Sequence, residues 1–211
     1  MIERPRTVGL VLAGGLARRM GGGDKALIRI GRESILERAL TRLGPQCAGV
    51  VINANGDPAR FAPFGLPVVA DDVEGFAGPL AGILAGLDWL AANAPAIRWL
   101  ASVPGDCPFL PRDLVPRLHA ARAAADVPLT CAKSGEWRHP VVGLWPVDLR
   151  ANLRRAVVTE KLRKIEVWTV RHGIALAEWP AEPVDPFFNV NTPEDAAQAQ
   201  RFAALEESLA V

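Results

Sequence analysis

Glycines at 14, 15 and 21 to 23, arginines at 18 and 19 and an Asp24-Lys25 pair follow directly on an apolar run, Val8 to Ala13. Glycine lets the backbone turn sharply and bring its N–H groups close to an anion, and the three cations add positive charge beside those donors. The set suits phosphate binding. It is not a P-loop, which needs Ser or Thr after its Gly-Lys, because Asp24 precedes Lys25 and Ala26 follows it. A dinucleotide-type spacing occurs at Gly21-Gly22-Gly23-Asp24-Lys25-Ala26, but it lies far beyond the strand and precedes a strand-like run, Ala26 to Ile30. The next strand ends in Asn53-Ala54-Asn55, without the acid that a ribose needs.

Three further polar residues stand at the ends of apolar runs. Asn53 carries an amide able to donate and accept, as recognition of a base or ribose requires. Asp71 follows Leu66 to Ala70, and Asp106 follows Ile97 to Val103 through a Pro104-Gly105 turn. A carboxylate held there suits Mg²⁺, which binds through one or two carboxylates plus phosphate oxygens. The competing role for Asp106, capping a helix near Pro111, falls better to Asp113. Asn189 and Asn191 are two apart on an extended run and point to the same side.

These groups need a frame that brings strand ends together. The chain alternates short apolar runs with helical patterns, which predicts an α/β fold with a mostly parallel sheet. Strands are expected at 8–13, 49–54, 66–70, 97–103, 127–132 and 174–179, with an extended segment from Trp137 to Trp145. Helices are expected from the Ser34-Ile35-Leu36-Glu37 capping box to Leu43, and over 79–92, 113–125, 147–157 and 160–170. A last helix starts at Thr192-Pro193, with proline in its first turn. In such a sheet, ligands bind beyond the carboxyl ends of the strands.

Composition narrows the function. Half of the 211 residues are hydrophobic, enough for one sizeable domain. Lys and Arg number 24 against 23 Asp and Glu, a formal charge of +1, so no overall field favours nucleic acid or membranes. Cys47, Cys107 and Cys131 have no metal-ligand spacing and read as reduced thiols. Met1 to Arg6 lack the apolar core of a leader, and no run approaches the ~18 residues of a membrane helix. A cytoplasmic protein is expected.

Leu12-Ala13-Gly14-Gly15, Arg19-Met20-Gly21 and Asp24-Lys25 resemble the signature loop of nucleotidyltransferases, most closely that of the molybdenum cofactor guanylyltransferases. Gly-Asp-x-Pro-Phe-Leu at 105–110 and Asn-x-Asn at 189–191 extend the resemblance over nearly the whole chain. It implies a three-layer α/β/α Rossmann-like fold and a single domain over 1–211. Residues 1–110 or so would bind nucleotide, and 111–211 would complete the second-substrate site. The implied reaction transfers GMP from GTP to the terminal phosphate of molybdenum-molybdopterin and releases pyrophosphate. Lys25, Asp106 and Arg19 are the implied catalytic residues. Leu12, Ala13, Gly14, Gly15, Lys25, Asn53, Asp71 and Asp106 are the implied GTP site, with Mg²⁺ on Asp106. Gly78, Pro79, Gly82, His139, Asn189 and Asn191 would face the second substrate. Arg163-Lys164 matches a basic pair in the family. A monomer is implied, with transient contacts to molybdopterin-supplying proteins and recipient molybdoenzymes.

Two alternatives remain at this point. One is a related transferase, using CTP on molybdopterin or acting on a sugar phosphate. The Gly14-Gly15 pair favours guanine, since the cytidylyl relatives resemble Leu-Ala-Ala-Gly in this loop. The other is a non-catalytic nucleotide-binding adaptor, against which an intact Lys25 and Asp106 weigh.

Overall fold

The computed structural model describes residues 5–14, 24–73 and 78–209. Strand β1, Thr7–Leu12, lies near the centre of a seven-stranded sheet. On one side of it are β4 (Gly49–Asn53) and β5 (Val68–Val69), both parallel to it. On the other side stands parallel β6 (Trp99–Pro104), followed in space by β8 (Trp137–Pro146), β7 (Leu129–Ser134) and β9 (Ile174–Trp179). Only β8 runs against the rest of this sheet among the described residues. A two-stranded ribbon, β2 (Arg29–Ile30) with β3 (Glu33–Ser34), stands apart.

Alternation along β1 sets the layers. Val8 and Leu10 join the apolar cluster under α2 (Pro79–Asn93), α4 (Arg150–Arg154) and α5 (Ile165–Val170). Val11 and Ala13 join the cluster under α1 (Ile35–Leu43) and α3 (Leu114–Ala125). Both faces of the strand are therefore buried, which is why it reads as a continuous apolar run. Glycine lets α2 approach closely: a Cβ on Gly86 would fall 2.7 Å from Leu10 Cδ2. The last helix, α6 (Pro193–Leu209), packs Ala199 and Ala203 against Ile30 and Phe109.

Local rules hold at the helix starts. Ser34 accepts from Glu37 N at 3.1 Å while Glu37 accepts from Ser34 N at 2.5 Å, the reciprocal capping box. Thr192 accepts from Asp195 N at 3.1 Å at the start of α6. Three expectations need correction. The run after Lys25 is a 3₁₀ turn, Lys25–Leu27, leading into the short ribbon. The helix expected from 160 begins only at Ile165. Lys161 has φ 54°, and the bonds Glu160 N to Arg155 O and Leu162 N to Ala156 O close the preceding π turn there. Asp113 stands at the N-cap of α3 without capping it, because its carboxylate accepts from Trp179 Nε1 and pairs with Arg117.

One buried histidine ties α3 to β1. Thr7 Oγ1 donates to Pro5 O, so His119 Nε2 is the donor in the 2.8 Å contact with that hydroxyl. Nδ1 is buried without a partner, and burial together with nearby Arg122 depresses the pKa from 6.5 to about 4. The unfolded chain therefore binds a proton that the folded chain refuses between these values. Stability is full above pH 6.5 and falls as pH drops toward 4. His119→Gln keeps a donor toward Thr7 and cannot titrate. Its denaturant stability should lose on the order of 2 kcal/mol less than the parent between pH 6.5 and 4. Parallel pH curves for the two proteins would exclude this role.

Candidate active site

The carboxyl ends of β1, β4, β5 and β6 open into a cleft of about 1070 Å³. Its floor is tied together by the backbone. Ala13 N donates to Asn53 O at 2.8 Å, Gly105 N to Leu12 O at 2.9 Å, and Ala54 N to Val69 O at 2.9 Å. Gly105 is required there, since a Cβ would lie 3.0 Å from Leu12 O and 3.1 Å from Ala13 Cα. Gly14 opens onto the cleft, with no atom of the described residues within 4 Å of where its Cβ would stand. Gly15 and Arg19 lie outside the described residues.

Asn53 and Asp71 form one unit. Asn53 Nδ2 donates to Asp71 Oδ1 at 2.9 Å and to Val69 O at 3.1 Å, so both amide protons of this buried residue are used inside the protein. Asp71 Oδ2 accepts from Asn55 Nδ2 at 3.0 Å, and Asn55 Oδ1 accepts from Asp71 N at 2.8 Å. The donor role expected for Asn53 toward a base or ribose is thus corrected. Asn53 orients Asp71, while Asn55 and Asp71 present the outer edge. Arg60 lines the same end of the cleft, donating to Asn55 O at 2.5 Å and pairing with Asp24 at 3.2 Å.

The other side of the floor is charged. Lys25 Nζ lies 2.5 Å from Asp106 Oδ2, with side chains 13% and 20% exposed, and also donates to Asn191 Oδ1. Asp106 is not a helix cap; its main-chain carbonyl accepts from Val190 N at 3.0 Å, which seats the Asn189–Asn191 segment against it. Asn189 lines the cleft and accepts from the Cys107 thiol at 2.7 Å. Burial, reinforced by Asp106 and Asp185, pushes that thiol well above its ordinary pKa, so it stays protonated.

The far wall comes from a break in β8. Cys131 faces Gly143 but Ala132 faces His139, so one step along β7 spans four along β8. Pro140, Val141 and Val142 leave the ladder and line the cleft, as bulges do where a strand is re-aimed. Ser102 fastens the bulge: its hydroxyl donates to Val141 O at 2.6 Å and accepts from Trp145 Nε1 at 2.7 Å. His139 also faces the cleft, its ring 4.7 Å from that of Phe187. Its Nε2 is 2.7 Å from Ser134 Oγ, the spacing of a nucleophile and its base. Ser134 is only 1% exposed, however, so the pair cannot meet substrate and serves to orient the imidazole. Burial lowers the His139 pKa, which keeps the ring neutral at pH 7. Gly78 and Pro79, at the start of α2, complete the rim, and exposed Arg138 stands beside His139.

The MobA-like NTP transferase domain matches residues 9–172. A molybdenum cofactor guanylyltransferase from Nitrobacter hamburgensis is 60% identical over 97% of this chain and 98% of its own. One from Shewanella is 43% identical over 92% of this chain and 94% of its own.

The chain belongs to the molybdenum cofactor guanylyltransferase family.

Members of this family are nucleotidyltransferases. The fold agrees: molybdopterin-guanine dinucleotide biosynthesis protein A from Archaeoglobus fulgidus superposes with a TM-score of 0.70 at 22% identity, over 93% of this chain and 98% of that one.

The structure gathers Leu12, Gly14, Asn53, Asp71, Gly78, Pro79, Asp106, His139 and Asn189 around one cleft, with Lys25 and Asn191 bonded at its edge. Ala13 is buried beneath it. Arg163 braces its own turn, donating to Val157 O and Leu162 O, each at 3.0 Å. Gly82 takes a different place from the one expected. It is buried in α2 against the sheet, and a Cβ would fall inside contact distance of Asn53 Oδ1 and 2.6 Å from Leu12 Cδ2. Its absent side chain is what gives Asn53 room. Asn55 and Arg60 were not anticipated; Asn53-x-Asn55, two apart at a strand end, held a signal, whereas Arg60 held none. Gly82→Ala should cost about 1–3 kcal/mol in denaturant unfolding, since neither neighbour can move freely. It should also weaken nucleotide binding by displacing the Asn53–Asp71 unit, read as a smaller thermal shift with GTP. Parent-like stability and shift together would refute the packing role.

Proposed function

We propose that this chain transfers GMP from GTP to the terminal phosphate of molybdenum-bearing molybdopterin, forming the dinucleotide cofactor and pyrophosphate. The observation that carries this reading is the Lys25–Asp106 pair, 2.5 Å apart, joining the 3₁₀ turn after the glycine loop to the turn beyond β6 in a guanylyltransferase-family cleft. A triphosphate with a divalent cation offers each member a better partner: phosphate oxygens for the ammonium, the cation for the carboxylate.

The donor set fits Mg²⁺. Asp106 offers a hard oxygen on a fixed turn, and Asp71 is already engaged on both oxygens by Asn53 and Asn55. No group of three or more metal-binding side chains exists among the described residues. Mg²⁺ is commonly held by one or two carboxylates and completed by phosphates and water. Bound there, Mg²⁺ would offset charge on the triphosphate. Asp106 would hold it, Lys25 and the glycine-loop amides would hold the phosphates above Leu12 and Ala13, and Arg19 would add charge. The Asn53–Asp71–Asn55 edge takes the nucleoside. Gly78, Pro79, His139, Asn189 and Asn191 face the second substrate. A phosphate nucleophile is already anionic near pH 7, so positioning and charge neutralisation suffice without a general base.

Guanine is favoured over cytosine because the loop reads Leu12-Ala13-Gly14-Gly15, where the cytidylyl relatives resemble Leu-Ala-Ala-Gly. No described helix is long and apolar enough to cross a membrane. The reading places a monomer in the cytoplasm, with transient contacts to the proteins that supply molybdopterin and receive the product. Turnover of molybdopterin with GTP and CTP side by side tests the base: GTP should be used at least about tenfold better, a difference of ~1.4 kcal/mol in transition-state binding. Equal use of CTP would overturn the guanylyl assignment and favour the cytidylyl alternative.

Asp106→Asn tests the metal role. The amide keeps the size and loses the charge that Mg²⁺ requires, so pyrophosphate release should fall by about 100-fold or more across a Mg²⁺ titration. Unfolding without nucleotide should move by only about 1 kcal/mol, because Lys25 keeps the Asn191 oxygen and gains the new amide oxygen as acceptors. Activity that survives while stability collapses would make Asp106 structural.

A further inference from the structure

Asn189 reaches the cleft on an extended segment, where its carboxamide could turn either way. One contact decides the direction. Cys107 Sγ lies 2.7 Å from Asn189 Oδ1, and Cys107 is 1% exposed, directly after Asp106. A carboxamide oxygen can only accept, so the thiol donates. Sγ also lies 3.6 Å from Phe187 O, a second acceptor on the same segment. Val190 N bonds to Asp106 O at 3.0 Å, so the backbones carrying the two side chains are fastened together. Nδ2 of Asn189 has no protein partner among the described residues, and Asn189 is exposed on the cleft.

We infer that Cys107 is a positioning residue: its thiol clamps the oxygen of Asn189 and turns the two amide N–H donors toward an acceptor-rich, anionic second substrate. This rests on the reading that Asn189 faces that substrate. Without the clamp the carboxamide can rotate by half a turn and present its oxygen, which repels phosphate oxygens.

Cys107→Ala and Cys107→Ser are close in size and differ by one donor, so packing loss is common to both. The serine hydroxyl, on a shorter bond to Cβ, stands slightly further back from Asn189 Oδ1 than the sulfur does and stays within reach of an O–H···O bond. With GTP saturating, Cys107→Ala should raise the KM for molybdopterin about fivefold, the loss of one hydrogen bond, and leave the KM for GTP unchanged. Cys107→Ser should restore it. Asn189→Ala should raise the same KM at least as much, and adding Cys107→Ala to it should cost nothing further. In the free protein, the Asn189 side-chain amide, assigned by its loss in Asn189→Ala, should be ordered by NMR relaxation in the parent and Cys107→Ser but mobile in Cys107→Ala. Equal behaviour of the alanine and serine variants, or an equally ordered amide in all three, would overturn the clamp. An ordered-to-mobile change with an unaffected KM in Asn189→Ala would instead show that the clamp exists and the second-substrate reading of Asn189 is wrong.

Discussion

Two consecutive residues of opposite charge hold the site together. Asp24 reaches Arg60 on the connection between β4 and β5, and Lys25 reaches Asp106 beyond β6. The backbone emerging from the glycine-rich segment is thereby fixed across the sheet edge, with one anchor on each side of β1. Lys25 and Asp106 are only 13% and 20% exposed, and removing either leaves a partly buried charge without its counter-ion. Asn191 adds a third strand of the same tie, 166 positions away in the chain. The first loop, the end of β6 and the segment before α6 thus converge because one ammonium needs oxygen partners that only that junction supplies.

Much of this frame was legible in the sequence because it depends on short-range rules. The continuous apolar run of β1, the Ser34–Glu37 box and the Thr192-Pro193 start follow from local pattern alone. Asp106 could be found because a parallel sheet delivers its strand ends to one edge. What stayed hidden depends on partners distant in the chain. Asn53 looks like a ligand donor until Asp71 and Val69 are seen to use its amide. Arg60 gives no sign that it pairs with Asp24. The bulge at Pro140–Val142 arises from how β8 is pinned by Ser102 and Trp145, and its sequence resembles an ordinary extended strand. Gly82 could be read equally as wall or as spacer, and only its contact with Asn53 separates the two.

The same contacts explain how a chain of net charge +1 offers a surface suited to polyphosphate. Each acid at the cleft among the described residues is paired or hydrogen-bonded. Asp24 is paired with Arg60, Asp106 with Lys25, and Asp71 is saturated by two amides. His139 is neutral by burial and Cys107 holds its proton, so neither adds negative charge. Arg138 has no acidic partner among the described residues and stands open at the rim. The field inside the cleft is therefore set by local pairing, since in a walled cleft nearby charges outweigh the average over the surface. A site built this way needs no activated side-chain nucleophile. It needs groups whose partners can be exchanged for phosphate and metal at little cost, and a partly exposed ion pair meets that need better than a fully buried one, whose separation would leave both charges in low dielectric.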